Sequence, residues 1–304
     1  MSRDAVKSPD PVISFIVITR NRSKQLLGCL RNIESQTCFA SEVVVVDNGS
    51  SDGTAQLLSD EFPDVNIVRL TDNTGVSGGR NRAVREARGK ICIFVDDDAR
   101  FIGDDLADKV LFRFDANPNL AIVAFRVRHG SDNSLDRRAI PRADKRHIEQ
   151  DYSCTYFSGA GFALKRDMII EVGMFWERLF YGGEELDLSY RLLDRGYEIL
   201  CPQSIEVLHY DVKTNREPGQ WTYFNARNRC WVATRNLPWP CVISTTVLWW
   251  GRTCVVGSAR GEFPHFIRGV RDALRGWSEA KRTRSPIGAQ ARRELRRNSG
   301  RLWY

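Results

Sequence analysis

The sequence lacks several features that would assign it to common classes of protein. Residues 1–11 contain no apolar core of the kind found in a signal peptide, and the apolar stretch Cys241–Val256 is shorter than the ~20 residues that cross a bilayer. Its eight cysteines include no Cys-x-x-Cys pair, and Cys29 and Cys92 lie in apolar runs. This usage is typical of buried thiols in a reducing compartment. We therefore expect a cytoplasmic protein without structural disulfides or a zinc site.

Acidic residues are scarce only near the C-terminus. Residues 260–304 contain twelve Lys or Arg and four Asp or Glu, while the rest of the chain is nearly neutral, so this segment accounts for the net charge of +7. A local basic surplus indicates contact with an anionic surface. We predict a flexible N-terminus (1–11), a main domain (12–236) and a helical, basic C-terminal extension (237–304).

The segment Lys90–Asp98 combines a buried strand with three carboxylates. Ile91–Val95 is apolar throughout, as in a strand with both faces covered. Asp96, Asp97 and Asp98 follow directly. Because burying three adjacent anions is costly, we expect them at the carboxyl end of the strand, where open α/β sheets bind ligands. Carboxylate oxygens suit Mg²⁺ or Mn²⁺, so the segment predicts a metal site, with a solvated acidic turn as the alternative.

Strand-like and helix-like segments alternate through the first half of the chain. Strands are predicted at Val12–Ile18, Glu42–Val46 and Val65–Leu70 before the acidic strand, and Ala121–Arg128 resembles one further strand. This order is typical of an α/β fold with a single, mostly parallel, Rossmann-like sheet flanked by helices. One edge of that sheet then collects Thr19, Asp47, Arg80 and the three aspartates.

The glycine-rich segment Asn73–Arg82 is predicted as a loop before a helix. Its glycines do not form the Gly-x-Gly-x-x-Gly pattern of a dinucleotide fold. Arg80 provides a cation for phosphate groups, and Asp47 provides a carboxylate that accepts an N–H of a nucleobase. A plain turn at Asp47-Asn48-Gly49 is the alternative interpretation.

Four motifs resemble family 2 glycosyltransferases with the GT-A fold. They are Val-Ile-Thr-Arg-Asn-Arg, Val-Val-Val-Asp-Asn-Gly-Ser-Ser-Asp-Gly-Thr, Asn-Thr-Gly-Val-Ser-Gly-Gly-Arg-Asn and Phe-Val-Asp-Asp-Asp, and they occur in the family's order and spacing. The resemblance covers roughly residues 12–240 and is closest to bacterial rhamnosyl- and galactofuranosyl-type members. It implies a nucleotide-diphosphate sugar (UDP, dTDP or GDP) at the sheet edge.

The resemblance also implies roles for individual residues on the donor side. The aspartate before Asn-Gly-Ser recognises the base in that family, and an Asp-x-Asp-type motif holds the ribose and a divalent metal. In this chain those roles would fall on Asp47 for the base and on Asp96 and Asp98 for ribose and metal, with Asp97 close by. Thr19, Arg20 and Arg80, at the same edge of the sheet, are further candidates for binding the donor nucleotide.

His209, after a predicted strand, is the third candidate metal ligand. The family often has a His at this point that joins the metal shell, although a lone His is more often structural. Imidazole beside carboxylates suits Mn²⁺ somewhat better than Mg²⁺. Related transferases also have an Arg-Asn pair in a following helix, so Arg227 and Arg229 are candidates for the diphosphate or acceptor, or simply cover a helix surface.

The acidic segment Glu184-Glu185-Leu186-Asp187 supplies the candidate base. Sugar transfer with inversion needs one carboxylate to take the proton of the acceptor hydroxyl. The segment is similar to the family's Gly-Glu-Asp motif, whose second acid is the base. Glu185 occupies that position with one more methylene, Asp187 is the fallback, and Glu184 would lie near the diphosphate or acceptor. Favourable charge at a helix N-terminus and an Asp187–Arg191 pair are the alternative interpretation.

The resemblance, together with these features, implies a metal-dependent glycosyltransferase of polysaccharide or glycolipid synthesis, with a glycan or lipid-linked acceptor; inversion is implied by the resemblance alone. The Trp-rich stretch 241–256 and the basic segment after it predict peripheral contact with the anionic inner face of the cell membrane; packing on the domain or an oligomer contact is the alternative. A sugar nucleotidylyltransferase is the alternative enzyme. A nucleic-acid-binding protein is the alternative from another class, but no reader motif is present and we expect no nucleic-acid partner.

Overall fold

The computed structural model describes residues 11–37, 40–142, 148–210 and 217–302. Almost all of the predicted flexible N-terminus lies outside these residues. The strands are β1 Ile13–Thr19, β2 Ser41–Asn48, β3 Asn66–Leu70, β4 Ile91–Val95, β5 Ala99–Phe101, β6 Leu120–Ala124, β7 Arg126–His129, β8 Tyr152–Cys154, β9 Gly161–Lys165, β10 Glu198–Cys201 and β11 Glu206–His209. The helices are α1 Ser23–Glu34, α2 Thr54–Glu61, α3 Gly75–Glu86, α4 Leu106–Ala116, α5 Arg166–Glu171, α6 Glu184–Asp194, α7 Gln220–Asn236, α8 Trp239–Ala259, α9 Phe263–Arg275, α10 Trp277–Arg282 and α11 Ala289–Arg297.

Eight of the described strands form one large sheet in the order β3-β2-β1-β4-β9-β6-β10-β8. β1 pairs in parallel with β2 on one side and β4 on the other, and Thr19 lies opposite Asp47. β9 is antiparallel to both β4 and β6. The carboxyl end of β1 is therefore the topological switch point, at which open α/β sheets bind ligands. The predicted α/β class with a central sheet flanked by helices is confirmed.

The predicted strand Ala121–Arg128 is in fact two strands that belong to different sheets. β6 ends at Ala124, and β7 joins β11 and β5 in a three-stranded sheet. Phe125, between them, still donates its N–H to the carbonyl of Gly161 (3.2 Å). The apolar run of β6 changes at this break to the alternating segment Arg-Val-Arg-His of β7, a change that the single predicted strand overlooked.

The glycine-rich segment predicted as a loop is the first part of α3, so that prediction is wrong. Gly75 begins the helix with a φ of +72°, and Gly78 and Gly79 lie inside it. A Cβ atom on Gly79 would come within 2.9 Å of the Ile18 side chain. Glycine is unfavourable inside a helix by about 1 kcal/mol, but here it allows α3 to pack closely against β1.

Three apolar cores hold these layers together. Helices α1, α2 and α4 cover one face of the large sheet, and α3, α5 and α6 cover the other. The third core joins the opposite side of α6 to α7, α8, α10 and α11. The C-terminal helices therefore pack on the body of the protein through α6 and α7. Among the described helices, none has the length and apolarity needed to cross a membrane.

Candidate active site

A cleft of about 230 Å³ lies at the carboxyl ends of β1 and β4. Parallel strands end at the same edge of a sheet, and this register brings the residues after β1 next to those after β4. The opposite wall comes from the segment before α6 and from the first residue of α7. The polar and aromatic lining residues are Thr19, Arg20, Arg22, Asn48, Asn73, Asp96, Asp97, Phe180, Tyr181 and Gln220.

Asp96, Asp98 and His209 form a group that could hold a metal ion, with one ligand atom from each within 4.8 Å of the others. The small sheet creates this group, because β11 places His209 opposite Ala99 and Tyr210 donates its N–H to the carbonyl of Asp98 (2.9 Å). The His209 Nε2 atom lies 3.2 Å from Asp98 Oδ1. Two carboxylates and an imidazole fit Mn²⁺ or Mg²⁺ as a donor set.

The pKa values of Asp96 and Asp98 are shifted in opposite directions. Burial, with added repulsion from Asp98, raises the pKa of Asp96 to about 6. Burial also acts to raise the pKa of Asp98, but the hydrogen bond to His209 and the charge of Arg22 lower it overall. A cation placed between the two carboxylates would relieve this repulsion, which is the electrostatic condition for a metal site.

Asp97 points away from that group and is held by β1 and the loop after it. The carboxylate accepts hydrogen bonds from Thr19 Oγ1 (2.8 Å) and Arg22 Nη1 (2.6 Å). Arg22 Nη1 also reaches Asp98 Oδ2 (2.9 Å). Sequence reasoning named Arg20 but missed Arg22, although both lie in the same Thr-Arg-Asn-Arg motif. Arg20 is exposed at the cleft, whereas Arg22 orients the aspartates.

Asp47 and Asn48 lie at the end of β2, on the same edge of the sheet, but only Asn48 lines the cleft. Asp47 is buried and its Oδ1 accepts the N–H of Ser50 (2.9 Å), so it closes the turn as well as standing at the strand end. Asn48 lines the cleft, and its amide donates to the Gly75 carbonyl (3.0 Å). Asn48 thereby ties β2 to the start of α3, a role that the sequence motif did not reveal.

Arg80 connects the aspartates to the acidic segment of α6. It is buried over the rings of Phe162 and Phe175, with its charge centre 5.2 and 5.4 Å from the two ring centres. Arg80 Nη1 lies 2.8 Å from Glu185 Oε1. The charge of Arg80 also acts to lower the pKa of Asp96. The structure thus places Arg80 between the two acidic groups and not among the residues that line the cleft.

Gly159 makes room for this arrangement. Arg80 Nη2 donates to the Gly159 carbonyl (3.2 Å). A Cβ atom at this position would collide with both the Arg80 guanidinium and the Glu185 carboxylate. A side chain at position 159 would therefore displace the ion pair beside it.

Glu184 is buried next to Glu185 with an incomplete set of partners. Its Oε1 lies 3.7 Å from Arg80 Nη1, and its Oε2 has no hydrogen-bond partner among the described residues. Burial, and then repulsion from Glu185, raise the pKa of Glu184 to about 8. Glu184 therefore holds a proton at neutral pH, whereas the Glu185 carboxylate has a close arginine partner, Arg80.

Asp187, the fallback base, is fully buried on the other side of α6. Its carboxylate accepts hydrogen bonds from Arg235 Nη1 (2.6 Å), Arg191 Nη2 (2.8 Å) and Asn236 Nδ2 (2.8 Å). These contacts join α6 to the end of α7. The Asp187–Arg191 pair of the alternative interpretation is present, and the structure does not bring Asp187 together with the cleft residues.

The arginines of α7 lie behind the acidic segment. Arg227 donates to the Leu179 carbonyl (2.9 Å), and Arg229 is stacked on Trp249 with its charge centre 4.2 Å from the ring. Burial, and then repulsion from Arg301, lower the pKa of Arg229 to about 9. Asn228 donates to the carbonyls of Leu179, Tyr181 and Gly182, so it anchors the loop that carries Glu184. Sequence reasoning missed Asn228, although the Arg-Asn pair was a signal for it.

Comparisons with known proteins agree with these features. The model of glycosyl transferase family 2 matches residues 14–173. Glycosyltransferase AglE of Haloferax volcanii is 33% identical over 66% of this chain and 67% of its own length. An uncharacterized glycosyltransferase of Bacillus subtilis, YfnE, is 26% identical over 66% of this chain and 65% of its own length. The poly-beta-1,6-N-acetyl-D-glucosamine synthase of Staphylococcus aureus is 24% identical, and the chain spans only 47% of that protein.

Solved structures show the same architecture. A mannosyltransferase of Pyrobaculum calidifontis, solved with GDP-Man and Mn²⁺, has a TM-score of 0.57 at 18% identity over 88% of both chains. TarS of S. aureus, solved with UDP-GlcNAc, has a TM-score of 0.63 at 18% identity over 90% of this chain and 83% of that chain. At this identity the likeness shows the fold alone, and it confirms the predicted GT-A fold.

Proposed function

Because this chain belongs to glycosyl transferase family 2, we propose that it moves a sugar from a nucleotide-diphosphate sugar to an acceptor hydroxyl, with a divalent metal and with inversion at the anomeric carbon. The observation that carries the proposal is the group Asp96, Asp98 and His209 at the switch point of the sheet, with Glu185 on the other side of Arg80. A donor site and a candidate base are thus linked by one buried cation.

The metal would be held by Asp96, Asp98 and His209. When bound, it neutralises charge on the leaving diphosphate. Arg22 keeps Asp98 in place from the opposite side, and Arg20 adds an exposed cation at the cleft for the phosphates. Asp47 would accept an N–H of the base, and Thr19 supports the cluster through its bond to Asp97.

Glu185 would act as the general base. In the transfer the acceptor oxygen bonds to the anomeric carbon, the bond from that carbon to the diphosphate oxygen breaks, and the electron pair leaves with the diphosphate. The acceptor proton passes to the Glu185 carboxylate. Arg80 Nη1 lies 2.8 Å from that carboxylate and would hold it in position. The burial and full pairing of Asp187 favour Glu185 over the fallback.

The names of similar proteins support a range of donors and acceptors. The similar structures contain GDP-Man or UDP-GlcNAc, and one relative is a synthase of poly-beta-1,6-N-acetyl-D-glucosamine. We propose a UDP-, dTDP- or GDP-linked sugar as donor, a rhamnosyl- or galactofuranosyl-type transfer, and a glycan or lipid-linked acceptor in polysaccharide or glycolipid synthesis. The enzyme would work as a peripheral protein at the inner face of the cell membrane.

Calorimetry of nucleotide binding tests the donor site. UDP, dTDP and GDP would each be titrated with Mn²⁺ and with EDTA into the wild type, Asp98→Ala and the matched control Asp108→Ala, whose carboxylate is exposed on α4. We expect one nucleotide to bind in a metal-dependent way, with loss of binding in Asp98→Ala and no change in Asp108→Ala.

Two outcomes would contradict the proposal. If none of the three diphosphates binds under either condition, the donor site is wrong and the carboxylates form an acidic turn. If a nucleoside triphosphate and a sugar 1-phosphate are converted to a nucleotide sugar with release of diphosphate, the enzyme is a nucleotidylyltransferase instead.

A further inference from the structure

Helices α8 and α9 expose an apolar surface to solvent. We name as the apolar platform the side chains Trp239, Ile243 and Val247 of α8, Ile267 and Leu274 of α9, and Trp277 of α10. More than half of the surface of Ile243, Val247 and Leu274 is accessible (63%, 62% and 61%), although all three belong to well-formed helices. Exposed apolar patches of this extent usually mark a binding surface.

The platform is continuous because its residues recur at helical spacing. Phe263, Ile267, Val270 and Leu274 follow one another at intervals of four, three and four residues, so they form one stripe along α9. Trp239, Ile243 and Val247 form a similar stripe on α8. Between the stripes lies an almost entirely apolar groove of about 280 Å³, with Cys230 and Thr234 of α7 among its lining residues.

Basic residues border the platform. Arg268, Arg271 and Arg275 are exposed on the flank of α9 next to its apolar stripe. Asp272, on the same helix, is paired with Arg271 and lies 3.6 Å from Arg275. An apolar stripe beside a row of arginines is the arrangement of a helix that lies in the plane of a membrane interface.

Each of the two tryptophans at the end of the platform has a basic side chain over its ring. The charge centre of Arg284 lies 4.2 Å from the ring centre of Trp239, and that of Lys281 lies 5.6 Å from the ring centre of Trp277. The two rings meet edge to face at 6.3 Å. Tryptophan with a neighbouring cation suits the headgroup region, where one side of the ring meets lipid and the other meets water and phosphate.

We propose that the apolar platform binds the surface of a bilayer rich in anionic lipid, with the side chains of α8 and α9 inserted among the headgroups. Charge selects this occupant over a second copy of the chain. In a twofold dimer built on the same face, the arginine rows of the two copies would approach each other, which is unfavourable, whereas anionic headgroups complement them.

This binding would set the position of the catalytic cleft above the lipid. Gln220, the first residue of α7, lines the cleft, and Cys230 and Thr234 line the groove. The two sites are thus about 15–20 Å apart along the axis of α7. The inference deepens the proposed function and rests on it: the acceptor hydroxyl of a lipid-linked sugar would be held within reach of Glu185.

Co-sedimentation with vesicles tests the inference on the full chain. Vesicles of pure phosphatidylcholine would be compared with vesicles of equal parts phosphatidylcholine and phosphatidylglycerol. We expect the wild type to bind the anionic vesicles, and the double variant Ile243→Ser, Leu274→Ser to bind them at least about tenfold more weakly. The matched control is Phe112→Ser, because Phe112 is equally exposed (66%) but lies on α4 in the catalytic body.

A second pair of substitutions tests how much the arginines contribute to vesicle binding. Arg268→Gln with Arg271→Gln should weaken binding by a few-fold, since each basic residue near an anionic surface contributes about 1 kcal/mol. The control Arg82→Gln with Arg85→Gln removes two exposed arginines of α3 and should leave binding unchanged. If both platform variants bind as the wild type does, or if the wild type binds no vesicles, the inference is wrong.

Two further results separate this inference from others. If the wild type sediments as a dimer in the ultracentrifuge and the double variant as a monomer, without vesicle binding by either, a second copy covers the platform.

Nucleotide calorimetry on the same double variant should match the wild type. Vesicle binding without binding of any nucleotide would overturn the proposed function and leave the lipid site standing; the reverse result would overturn the lipid site alone.

Discussion

The cleft at the sheet edge and the platform on α8 and α9 depart from ordinary protein structure in opposite ways. The cleft region buries acidic groups: Glu184 is 3% exposed, with one oxygen that has no hydrogen-bond partner among the described residues, and Asp96 stands beside other carboxylates. The platform exposes apolar groups that would ordinarily be covered. Each arrangement costs stability in the isolated protein.

The difference teaches where to look for ligands of each kind. Buried charges whose mutual repulsion a cation would relieve point to a metal and a charged substrate. Exposed apolar side chains bordered by arginines point to a lipid surface. Asp187 shows the contrast within one helix, because the same kind of buried acid, when fully paired, is part of the framework.

The largest effect is expected at Glu185, the candidate base beside the cleft. Glu185→Gln should slow sugar transfer by about 10²- to 10⁴-fold, because an amide cannot take the acceptor proton. Donor nucleotide binding should stay near the wild-type value, since Glu185 is absent from the lining of the cleft. Transfer assays with calorimetry measure both quantities. Transfer at the wild-type rate in this variant would exclude Glu185 as the base.

Asp187→Asn tests whether the neighbouring acid Asp187 stabilises the fold and takes no part in sugar transfer. Removing its charge leaves Arg191 and Arg235 without their buried partner, so the free energy of unfolding should fall by about 3 kcal/mol. Urea unfolding gives the value. The control is Glu86→Gln, which breaks an exposed pair with Arg82 at the same helical spacing and should cost less than about 0.5 kcal/mol. Equal losses in the two variants would contradict the structural role.

The protonation of Glu184 gives a pH test of the buried charges. Its pKa is about 8 in the folded protein and about 4.5 for an ordinary glutamate, so between these pH values the folded protein keeps a proton that the unfolded chain releases. The contribution of this group to stability therefore declines as the pH rises from 4.5 to 8. Glu184→Gln removes the decline, and its unfolding free energy should exceed that of the wild type by at least about 1 kcal/mol more at pH 8 than at pH 5.

Urea unfolding of both proteins at the two pH values measures this difference. Glu86→Gln, at a half-buried position on α3, serves as the control and should show no such dependence. A constant difference between Glu184→Gln and the wild type across the range would mean that Glu184 is ionised in the folded protein.

The smallest effect is expected on the platform. Leu274→Ser should change the free energy of unfolding by no more than about 0.5 kcal/mol, because the side chain is already exposed to solvent. Leu295→Ala, at a fully buried position of α11, should cost about 2–5 kcal/mol in the same urea experiment. If the two losses are similar, Leu274 is covered in solution and the platform is not an exposed surface.

Most of the large sheet could be predicted from local patterns. The run Ile91–Val95 is buried on both faces and therefore apolar at every position, and β1 and β2 have the same signature. The carboxylates after β4 could be assigned to an edge because three adjacent anions are costly to bury. These predictions succeed because they depend on residues that are adjacent in the chain.

Other parts of the site could not be predicted in this way. The start of α3 was missed because three glycines resemble a loop, while close packing against Ile18 is what favours them. The sequence changes from an apolar run to Arg-Val-Arg-His where β6 gives way to β7, but this change alone does not specify a second sheet, so the sheet that carries His209 was not foreseen. Arg22 and Asn228 act through hydrogen bonds to groups far along the chain, which a motif does not specify.

The sequence by itself determined the α/β class, the acidic end of β4 and the basic character of the last residues, because hydrophobic periodicity and charge are local properties. Only the tertiary structure decided which acid faces which cation. Glu185 pairs with Arg80 of α3, while Asp187, only two residues later, pairs with Arg235 on the opposite side of α6. A helix turns by about 100° per residue, so two positions reverse the face, and packing then assigns each acid its environment.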